Sequence, residues 1–335
     1  MAKPVKLKSI EDIALACGVS ISTVSRALNN EPGISSETRR KILEIARQQN
    51  FTPKSRKRPL VRSQLDLLVV VPEEEELAVN PFLNVSELLG AINESFRTER
   101  KRVEIITVDR FARYLDTERP GCDGILFAYR GVEEPLREKL RELRIPHIFL
   151  SRSFADDNYV SCNGLKGTLH LVELLIGTGH RRIGYFGNEG NYSNADRFRG
   201  YRLALAEAGM SAPAGMVFPD GSRPESIAKA AEFFASNKCD AVACFNDFQA
   251  VALINEFASM GVRVPADVSV TGFDDSPLSR VSRPPVTTIA LPTFEMAFLA
   301  ARWLRDNILN RLDRALRIEV DGTLILRKSV GKRKP

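Results

Sequence analysis

The sequence predicts a small all-α headpiece followed by an α/β core of two parallel-sheet lobes. Apolar residues recur at helical spacing near the N-terminus, and strands then alternate with helices from Leu65 onward. An excess of positive charge is confined to the N-terminal part of the chain. We therefore expect a headpiece over residues 1–51, a linker over 52–64, a two-lobed domain over 65–330 and a basic tail over 331–335.

Two short helices joined by a tight turn are predicted between Ser9 and Asn30. Ser9 and Ser20 stand where the helices would begin, and a serine side chain can cap the free backbone amides there. Gly18 supplies the left-handed backbone that a sharp turn requires. The predicted inward positions are Ile10, Ile13, Ala14, Leu15, Val24, Ala27 and Leu28.

The second helix presents an outward face that includes one arginine. Its outward positions are Ile21, Ser22, Ser25 and Arg26. A helix with an arginine on its open face, held at an angle by a partner helix, suits the major groove of DNA. The pair is therefore interpreted as a helix-turn-helix.

A third helix completes the predicted headpiece. It begins at Ser35 or Ser36, after a turn at residues 31–33, and runs to about Gln48. Its predicted inward positions are Ile42, Leu43, Ile45 and Ala46.

Charge is divided unequally along the chain. Residues 1–63 carry 13 Lys and Arg against 5 Asp and Glu, whereas the remainder carries 35 against 37. A basic module on a near-neutral body fits nucleic-acid binding by the module alone. The linker combines prolines with closely spaced positive charges, so we expect it to be unfolded in isolation.

The alternating strands and helices after Leu65 predict parallel sheets covered by helices on both faces. Ligands of such sheets bind outside the carboxyl ends of the strands, and between two lobes those ends line a cleft. Glu73, Tyr129 and Ser151 follow predicted strands of the first lobe. They are therefore candidate ligand-contacting residues, and Phe218 or Phe294 is a candidate for stacking on a ligand ring.

Other features narrow the class of protein. The five cysteines are scattered and odd in number, which predicts reduced thiols. The N-terminus has no apolar segment of a secretory signal, and no apolar run reaches membrane-spanning length. We expect a cytoplasmic protein with no membrane association, no cofactor and no metal.

An ordered set of short motifs resembles the LacI/GalR (lac repressor) family of bacterial transcription regulators. The motifs are Asp12-Ile13-Ala14, Gly18-Val19-Ser20, Thr23-Val24-Ser25-Arg26, Gly179-His180-Arg181, Arg197-Phe198-Arg199-Gly200, Asn246-Asp247, Gly272-Phe273-Asp274-Asp275 and Thr287-Thr288-Ile289. The resemblance runs nearly end to end, although the branch within the family stays open. It implies a periplasmic-binding-protein-like core and a homodimer that binds a near-palindromic operator in double-stranded DNA and responds to a small effector.

The resemblance also implies which headpiece residues contact DNA. The set is Ser20, Ile21, Ser22, Thr23, Ser25, Arg26, Asn29, Arg58 and Leu60. Ile21, Ser22 and Arg26 match positions that face base edges, where arginine can pair with guanine. Thr23 and Ser25 are expected to meet phosphates.

The linker resembles the family's hinge helix, in which a leucine enters the minor groove. Leu60 matches that leucine. Pro59 departs from the pattern, because proline disfavours a helix in the residue before it. Two alternatives remain open, a hinge helix or an extended basic arm in the groove.

In the effector cleft, the resemblance implies roles for Arg197, Asn246 and Asp274. A carboxylate accepts from two neighbouring hydroxyls, arginine donates in a planar fork and asparagine does both. This chemistry suits a sugar-like ligand. Arg130 and Arg152 near the cleft would also permit a phosphorylated or carboxylated ligand.

Three alternatives were weighed against a ligand-responsive repressor. An enzyme with a DNA-binding head is disfavoured, because the sequence shows no nucleophile elbow, no phosphate-cradling loop and no metal cluster. A sugar-binding transport component would have similar lobes. The basic head of this sequence and the missing apolar signal segment argue against that alternative. A transcriptional activator differs from a repressor in operator position, which the sequence leaves open.

Overall fold

The computed structural model describes residues 9–28, 34–48, 64–73, 84–117, 121–129, 132–154, 156–189, 191–211, 214–219, 221, 224–310 and 315–333. Contacts divide the chain into two compact units, Met1–Val61 and Arg62–Pro335. The division falls inside the segment that the sequence predicts to be a linker.

The N-terminal unit contains the three predicted helices, α1 (Ile10–Cys17), α2 (Ile21–Leu28) and α3 (Ser36–Gln48). At the start of α1, the Ser9 hydroxyl accepts from the Asp12 amide at 3.2 Å and Asp12 Oδ2 accepts from the Ser9 amide at 3.1 Å. This reciprocal cap satisfies amides that have no partner within the helix. Gly18 ends α1 with a φ of 68°, as the turn prediction requires.

The headpiece core is narrower than the sequence predicts. Its buried residues are Ile13, Ala14, Cys17, Val24, Ala27, Ile42 and Ala46. Leu15 is 87% exposed and Leu43 is 45% exposed, so the prediction that both face inward is wrong. Each lies about 100° around its helix from a buried neighbour, and three short helices bury only one stripe each.

The first lobe is built on a parallel sheet whose described strands are β1 (Leu65–Val71), β2 (Lys101–Thr107), β3 (Gly124–Ala128), β4 (His147–Leu150), β5 (Tyr159–Cys162) and β11 (Arg317–Val320). Their order across the sheet is β11-β5-β4-β3-β1-β2. Its helices are α4 (Val85–Ser95), α5 (Val108–Thr117), α6 (Glu134–Leu143) and α12 (Thr293–Asn310).

Both faces of this sheet are covered. Along β1, Leu67 and Val69 pack with α4 and α12, whereas Leu68 and Val70 pack with α5 and α6. A strand that is buried on both faces has a nearly continuous run of apolar residues, and in β1 this run extends from Leu67 to Val71. This explains why β1 reads as a continuous apolar run in the sequence.

The second lobe repeats this architecture. Its described strands are β6 (Ile183–Phe186), β7 (Val217–Phe218), β8 (Ala241–Cys244) and β9 (Ser269–Thr271), in the parallel order β7-β6-β8-β9. Its helices are α7 (Gly164–Gly177), α8 (Ser193–Glu207), α9 (Pro224–Ser236), α10 (Asp247–Ser259) and α11 (Pro277–Val281). An antiparallel pair, β10 (Thr288–Ala290) with β12 (Thr323–Ile325), lies beside the lobe.

The chain passes between the lobes after β5, after β10 and after β11, in the parts that the structure describes. The sequence did not predict α5, α11, β5 or β10. Helix α5 begins at the residue after β2, with no glycine or proline to mark the change. The other three elements are too short to show a clear period.

Candidate functional site

The outward face of α2 is accessible within the N-terminal unit. Ile21 is 49% exposed, Ser22 and Arg26 are also exposed, and Ser25 is partly buried. On the opposite side, Val24 and Ala27 are buried in the headpiece core. The helix is therefore anchored by one face and leaves the other, with its single arginine, open.

Hydroxyl groups cluster at the start of this helix. Ser20 Oγ accepts from the Thr23 amide at 3.2 Å, which confirms the predicted cap. The same oxygen lies 2.8 Å from Ser22 Oγ and 2.8 Å from Thr23 Oγ1. Exposed hydroxyls at a helix N-terminus can donate to phosphate oxygens or base edges. Asn29, Arg58, Pro59 and Leu60 lie outside the described residues.

A cavity of about 440 Å³ lies in the Arg62–Pro335 unit, where strands of both lobes end. Five of the six predicted effector residues line it: Tyr129, Ser151, Arg197, Asn246 and Asp274. Tyr129 follows β3, Ser151 follows β4 and Asn246 lies just beyond β8. The strand-end rule therefore places side chains from both sheets around one space.

Glu73, the sixth predicted effector residue, does not line this cavity. Its Oε1 instead accepts from the Asp109 amide at 2.8 Å, in the first turn of α5. A carboxylate is favoured there by the free amides and the positive end of the helix dipole. The prediction of a ligand role for Glu73 is therefore corrected to a helix-capping contact.

The two stacking candidates also lie elsewhere. Phe218 packs edge-on against Phe186 at a centroid distance of 5.8 Å, within the core of the second lobe. Phe294 stacks on Phe298 at 6.2 Å. Arg130 lies outside the described residues, whereas Arg152 lines the cavity.

Arg197 and Asp274 form the central ion pair of the cavity wall. Arg197 Nη2 donates to Asp274 Oδ1 at 3.0 Å, and Nη1 donates to the Phe245 carbonyl oxygen. The guanidinium also lies 3.7 Å from the Phe273 ring centroid and 4.4 Å from that of Phe245. Because two rings and two oxygens fix its plane, Arg197 presents its remaining edge in one orientation.

Burial changes the pKa values of two carboxylates here, that of Asp274 in the pair and that of Asp247 near it. It raises the pKa of Asp274, and the nearby Arg197 opposes that shift. Burial, together with the charge of Asp274, raises the pKa of Asp247 to about 7. Asp247 accepts from the Thr288 hydroxyl and the Ser276 amide, each at 2.6 Å. Asp247 therefore takes up a proton at a higher pH than an ordinary aspartate does.

Asn246 has two tasks in the structure. It is the N-cap of α10, where its Oδ1 accepts from the Gln249 amide at 3.0 Å. Its side chain also lines the cavity. Since the oxygen serves the helix, the amide NH₂ is the part that remains to donate to a ligand.

Several cavity residues were missed as candidates, among them Gln249, Asn191 and Tyr192. Gln249 lies one turn into α10 from Asn246, and its Nε2 donates to the Gly187 carbonyl at 3.0 Å. The signal for Gln249 was a polar residue in the first turn after a strand end. Tyr192 lies in a short polar segment just before α8. An aromatic residue in such a segment is a sign of a ligand-contacting position.

Two family models match separate parts of the chain. Residues 9–54 match the model for bacterial regulatory proteins of the lacI family, and residues 172–330 match that for a periplasmic binding protein-like domain. The chain thus combines a LacI-family domain with a periplasmic-binding-protein-like domain. This confirms the resemblance that the short motifs suggested.

Relatives cover the chain nearly end to end. The HTH-type transcriptional regulator CelR of Thermobifida fusca is 29% identical over 337 residues, 96% of this chain and 98% of that protein. The probable HTH-type transcriptional repressor ExuR of Bacillus subtilis is 29% identical over 328 residues, 96% of this chain and 98% of that protein.

A solved structure supports the same assignment. The transcriptional regulator CelR–cellobiose complex is 26% identical, with a TM-score of 0.70 over 96% of this chain and 100% of that chain. The relatives of this chain are therefore helix-turn-helix regulators of transcription and not enzymes. None of the described helices is long and apolar enough to cross a membrane.

Proposed function

We propose that this LacI-family regulator is a cytoplasmic repressor that binds a pseudo-palindromic operator as a homodimer. A sugar-like effector in the cavity of the two-lobed domain releases or retains it. The proposal keeps the division into a headpiece over 1–51, a linker over 52–64, an effector domain over 65–330 and a basic tail. The ion pair of Arg197 and Asp274 on the cavity wall is the observation that carries it.

Polar groups on that wall match the hydroxyls of a sugar. Asp274 accepts hydrogen bonds, Arg197 donates them, and the Asn246 amide donates beside them. Each lies where a strand of the second lobe ends or on the helix packed next to it. A relative that is solved as a complex with cellobiose supports a sugar as the effector of this chain.

The open face of α2 supports DNA reading by the headpiece. Arg26 can donate two hydrogen bonds to guanine, Ser22 suits several bases, and Ile21 can contact a thymine methyl group. The hydroxyls of Ser20 and Thr23, together with Ser25, are assigned to phosphates, which fix position without specifying sequence. Asn29, Arg58 and Leu60 complete the proposed DNA-contacting set.

The proposed switch couples the two lobes to the headpieces through the linkers. In a dimer, a change in lobe arrangement alters the separation of two heads that read half-sites about one turn of DNA apart. An effector produces this change only if its affinity differs between the two arrangements. Leu60 and Pro59 lie in the connecting segment, so substitutions there test the coupling.

A transcriptional activator is the second candidate, because only the position of the operator relative to the promoter separates it from a repressor. The relative ExuR of Bacillus subtilis, which is named as a transcriptional repressor, favours repression for this chain. A sugar-binding transport component is disfavoured by the LacI-family headpiece.

The experiment selects DNA sequences with the purified chain and then measures binding by fluorescence anisotropy at several salt concentrations. We expect a pseudo-palindromic sequence, two chains per site and binding that weakens as salt rises. A panel of sugars then tests for ligands that raise the unfolding temperature and change operator affinity. Selection of no common sequence would refute the proposal.

A further inference from the structure

The three described segments that join the lobes meet at Gly322. This residue lies between β11 and β12, whereas Cys162 ends β5 and Ala290 ends β10. A Cβ built on Gly322 would lie 2.4 Å from Ile289 Cγ2, 3.0 Å from the Ala290 carbonyl oxygen and 3.2 Å from Cys162 Sγ. Carbon atoms in contact are normally about 3.5–4.0 Å apart. A residue with a side chain therefore fits here only if one of the other two segments moves away.

Strand pairing fixes the chain on both sides of Gly322. Before it, β11 pairs with β5 in the first-lobe sheet, with Val320 opposite Cys162. The Asn163 amide also donates to the Val320 carbonyl oxygen at 2.9 Å. After it, β12 pairs with β10 beside the second lobe. Residues 321 and 322 thus connect two fixed pairings, so a change in the angle between the lobes is absorbed there.

The junction of these segments belongs to the cores of both lobes. Cys162 and Leu291 pack against the first-lobe core and also against the buried cluster of Leu171, Phe273 and Ile289. Burial raises the pKa of the Cys162 thiol to about 12, so the thiol packs as a neutral group. Both Cys162 and Leu291 also line the cavity. The junction is therefore part of the cavity wall.

Ile289 connects this junction to the central ion pair of the cavity. Its side chain is fully buried, and its carbonyl oxygen accepts from the Asp274 amide at 2.8 Å. It also packs with Phe273, whose ring centroid lies 3.7 Å from the guanidinium carbon of Arg197. A displacement of Asp274 or Arg197 by a ligand thus reaches Ile289 through one hydrogen bond or one ring contact.

We propose that Gly322 is a positioning residue of the regulatory switch, because its missing side chain lets the three segments pack closely and so sets the angle between the lobes. Ile289 links that angle to Asp274. A larger residue at position 322 favours an arrangement with the segments further apart, which alters the separation of the linkers in the dimer. The inference rests on the proposed function, since operator binding is its readout. Gly322 itself lies outside the cavity wall.

The test measures how Gly322→Ala binds the operator that the wild type selects, by fluorescence anisotropy without added ligand. We expect the dissociation constant to change at least fivefold, because apparent affinity follows the population of the binding-competent arrangement. Binding to an unrelated DNA duplex should stay within twofold of the wild type, since the headpiece is unaltered. The unfolding temperature of each variant shows whether it is folded.

Gly184→Ala is the matched control for steric strain in general. A Cβ at Gly184 would lie 2.7 Å from Phe234 Cε1, a similarly close contact inside the core of the second lobe. We expect this variant to have a lower unfolding temperature than the wild type and an operator affinity within twofold of it.

A double variant tests the part played by Ile289. Leucine has a volume similar to that of isoleucine but no Cγ2, the atom nearest to the added Cβ. We therefore expect Gly322→Ala/Ile289→Leu to bind the operator within twofold of Ile289→Leu alone. Recovery of this kind separates a positioning role from a general loss of stability.

Cys162→Ala decides the matter if Gly322→Ala does not fold. It removes Sγ and opens the same junction, so we then expect the operator dissociation constant to change at least threefold. Because no ligand is added, contacts of Cys162 inside the cavity do not affect this measurement. A smaller change in a folded Cys162→Ala would then overturn the proposal.

Three results with a folded Gly322→Ala would also overturn it. They are a change in operator affinity below fivefold, an equal change in Gly184→Ala, and no recovery in the double variant. A wild type that selects no operator would refute the proposed function and this role with it. A wild type that selects an operator, which Gly322→Ala then binds normally, would refute the role of Gly322 alone.

Discussion

Arg197 and Asp274 meet at 3.0 Å in the wall of the cavity, although 77 residues separate them in the sequence. Arg197 lies on α8, and Asp274 lies in the loop after β9, with a φ of 108°. Both side chains are about nine-tenths buried. The pair therefore couples the start of a helix to the end of a strand.

This pair makes a prediction about stability. Arg197→Met leaves the Asp274 carboxylate buried without its cation, and breaking a buried pair from one side costs about 3–5 kcal/mol. The double variant Arg197→Met/Asp274→Asn removes both charges, so we expect it to lose less stability than the single variant. Urea unfolding of the wild type and the two variants measures this, and a double variant that loses as much stability as Arg197→Met, or more, would contradict it.

A second prediction concerns pH. In the folded chain Asp247 holds its proton up to a pKa of about 7, whereas the ordinary value is 3.8. Between these values the folded state binds more protons than the unfolded state, so stability falls as pH rises. The contribution is full below the ordinary pKa and is lost as pH passes 7.

Asp247→Asn serves as the test, because an amide retains hydrogen bonds to Thr288 and Ser276 without titrating. We expect the unfolding free energy of the wild type, relative to this variant, to fall by up to about 1.4 kcal/mol per pH unit between pH 5 and 7. Urea denaturation at several pH values measures the difference. A difference that stays constant across this range would show that Asp247 does not titrate there.

A third prediction concerns the packing of α7 against α8, the helix that carries Arg197. A Cβ added at Gly200 would collide with the carbonyl oxygen of Leu165 on α7. We therefore expect Gly200→Ala to destabilise the chain by about 1–3 kcal/mol. Gly177→Ala is the control, since a Cβ there meets nothing within 4 Å. It should leave stability unchanged or raise it by up to about 1 kcal/mol. Equal losses in both variants would refute the steric explanation.

A fourth prediction separates sequence reading from general affinity. Arg26→Ala should reduce discrimination against a substituted guanine in each half-site by about 1–3 kcal/mol. Arg40→Ala, an exposed arginine on α3, should instead lower affinity for all DNA sequences by a similar factor. Anisotropy titrations with matched and substituted operators measure both effects. Unchanged discrimination by Arg26→Ala would exclude the proposed base contact.

The sequence predicted the main elements because their signals are local. Caps at Ser9 and Ser20, a left-handed glycine at Gly18 and a continuous apolar run in β1 are each visible within a few residues. Leu15 was assigned inward wrongly because apolar spacing does not give the width of the buried stripe. That width depends on how closely three short helices approach one another.

The cavity was predicted through two different signals. Motif resemblance identified Arg197, Asn246 and Asp274, and the strand-end rule added Tyr129 and Ser151. The same rule failed for Glu73, because a carboxylate after a strand can equally cap the next helix. The contact between Arg152 and Asn191 joins residues from two lobes, which no periodicity or spacing in the sequence reports.

The central claim is that a ligand in the cavity controls DNA binding by the headpiece. Its most direct test is the operator affinity of the wild type and of Arg197→Met/Asp274→Asn, measured by anisotropy with and without a saturating sugar ligand. We expect the ligand to change wild-type affinity at least tenfold. We expect the folded variant to bind the operator within twofold of the wild type and to show no response to the ligand. A folded variant that responds as the wild type does, or that loses operator binding together with the response, would contradict the claim.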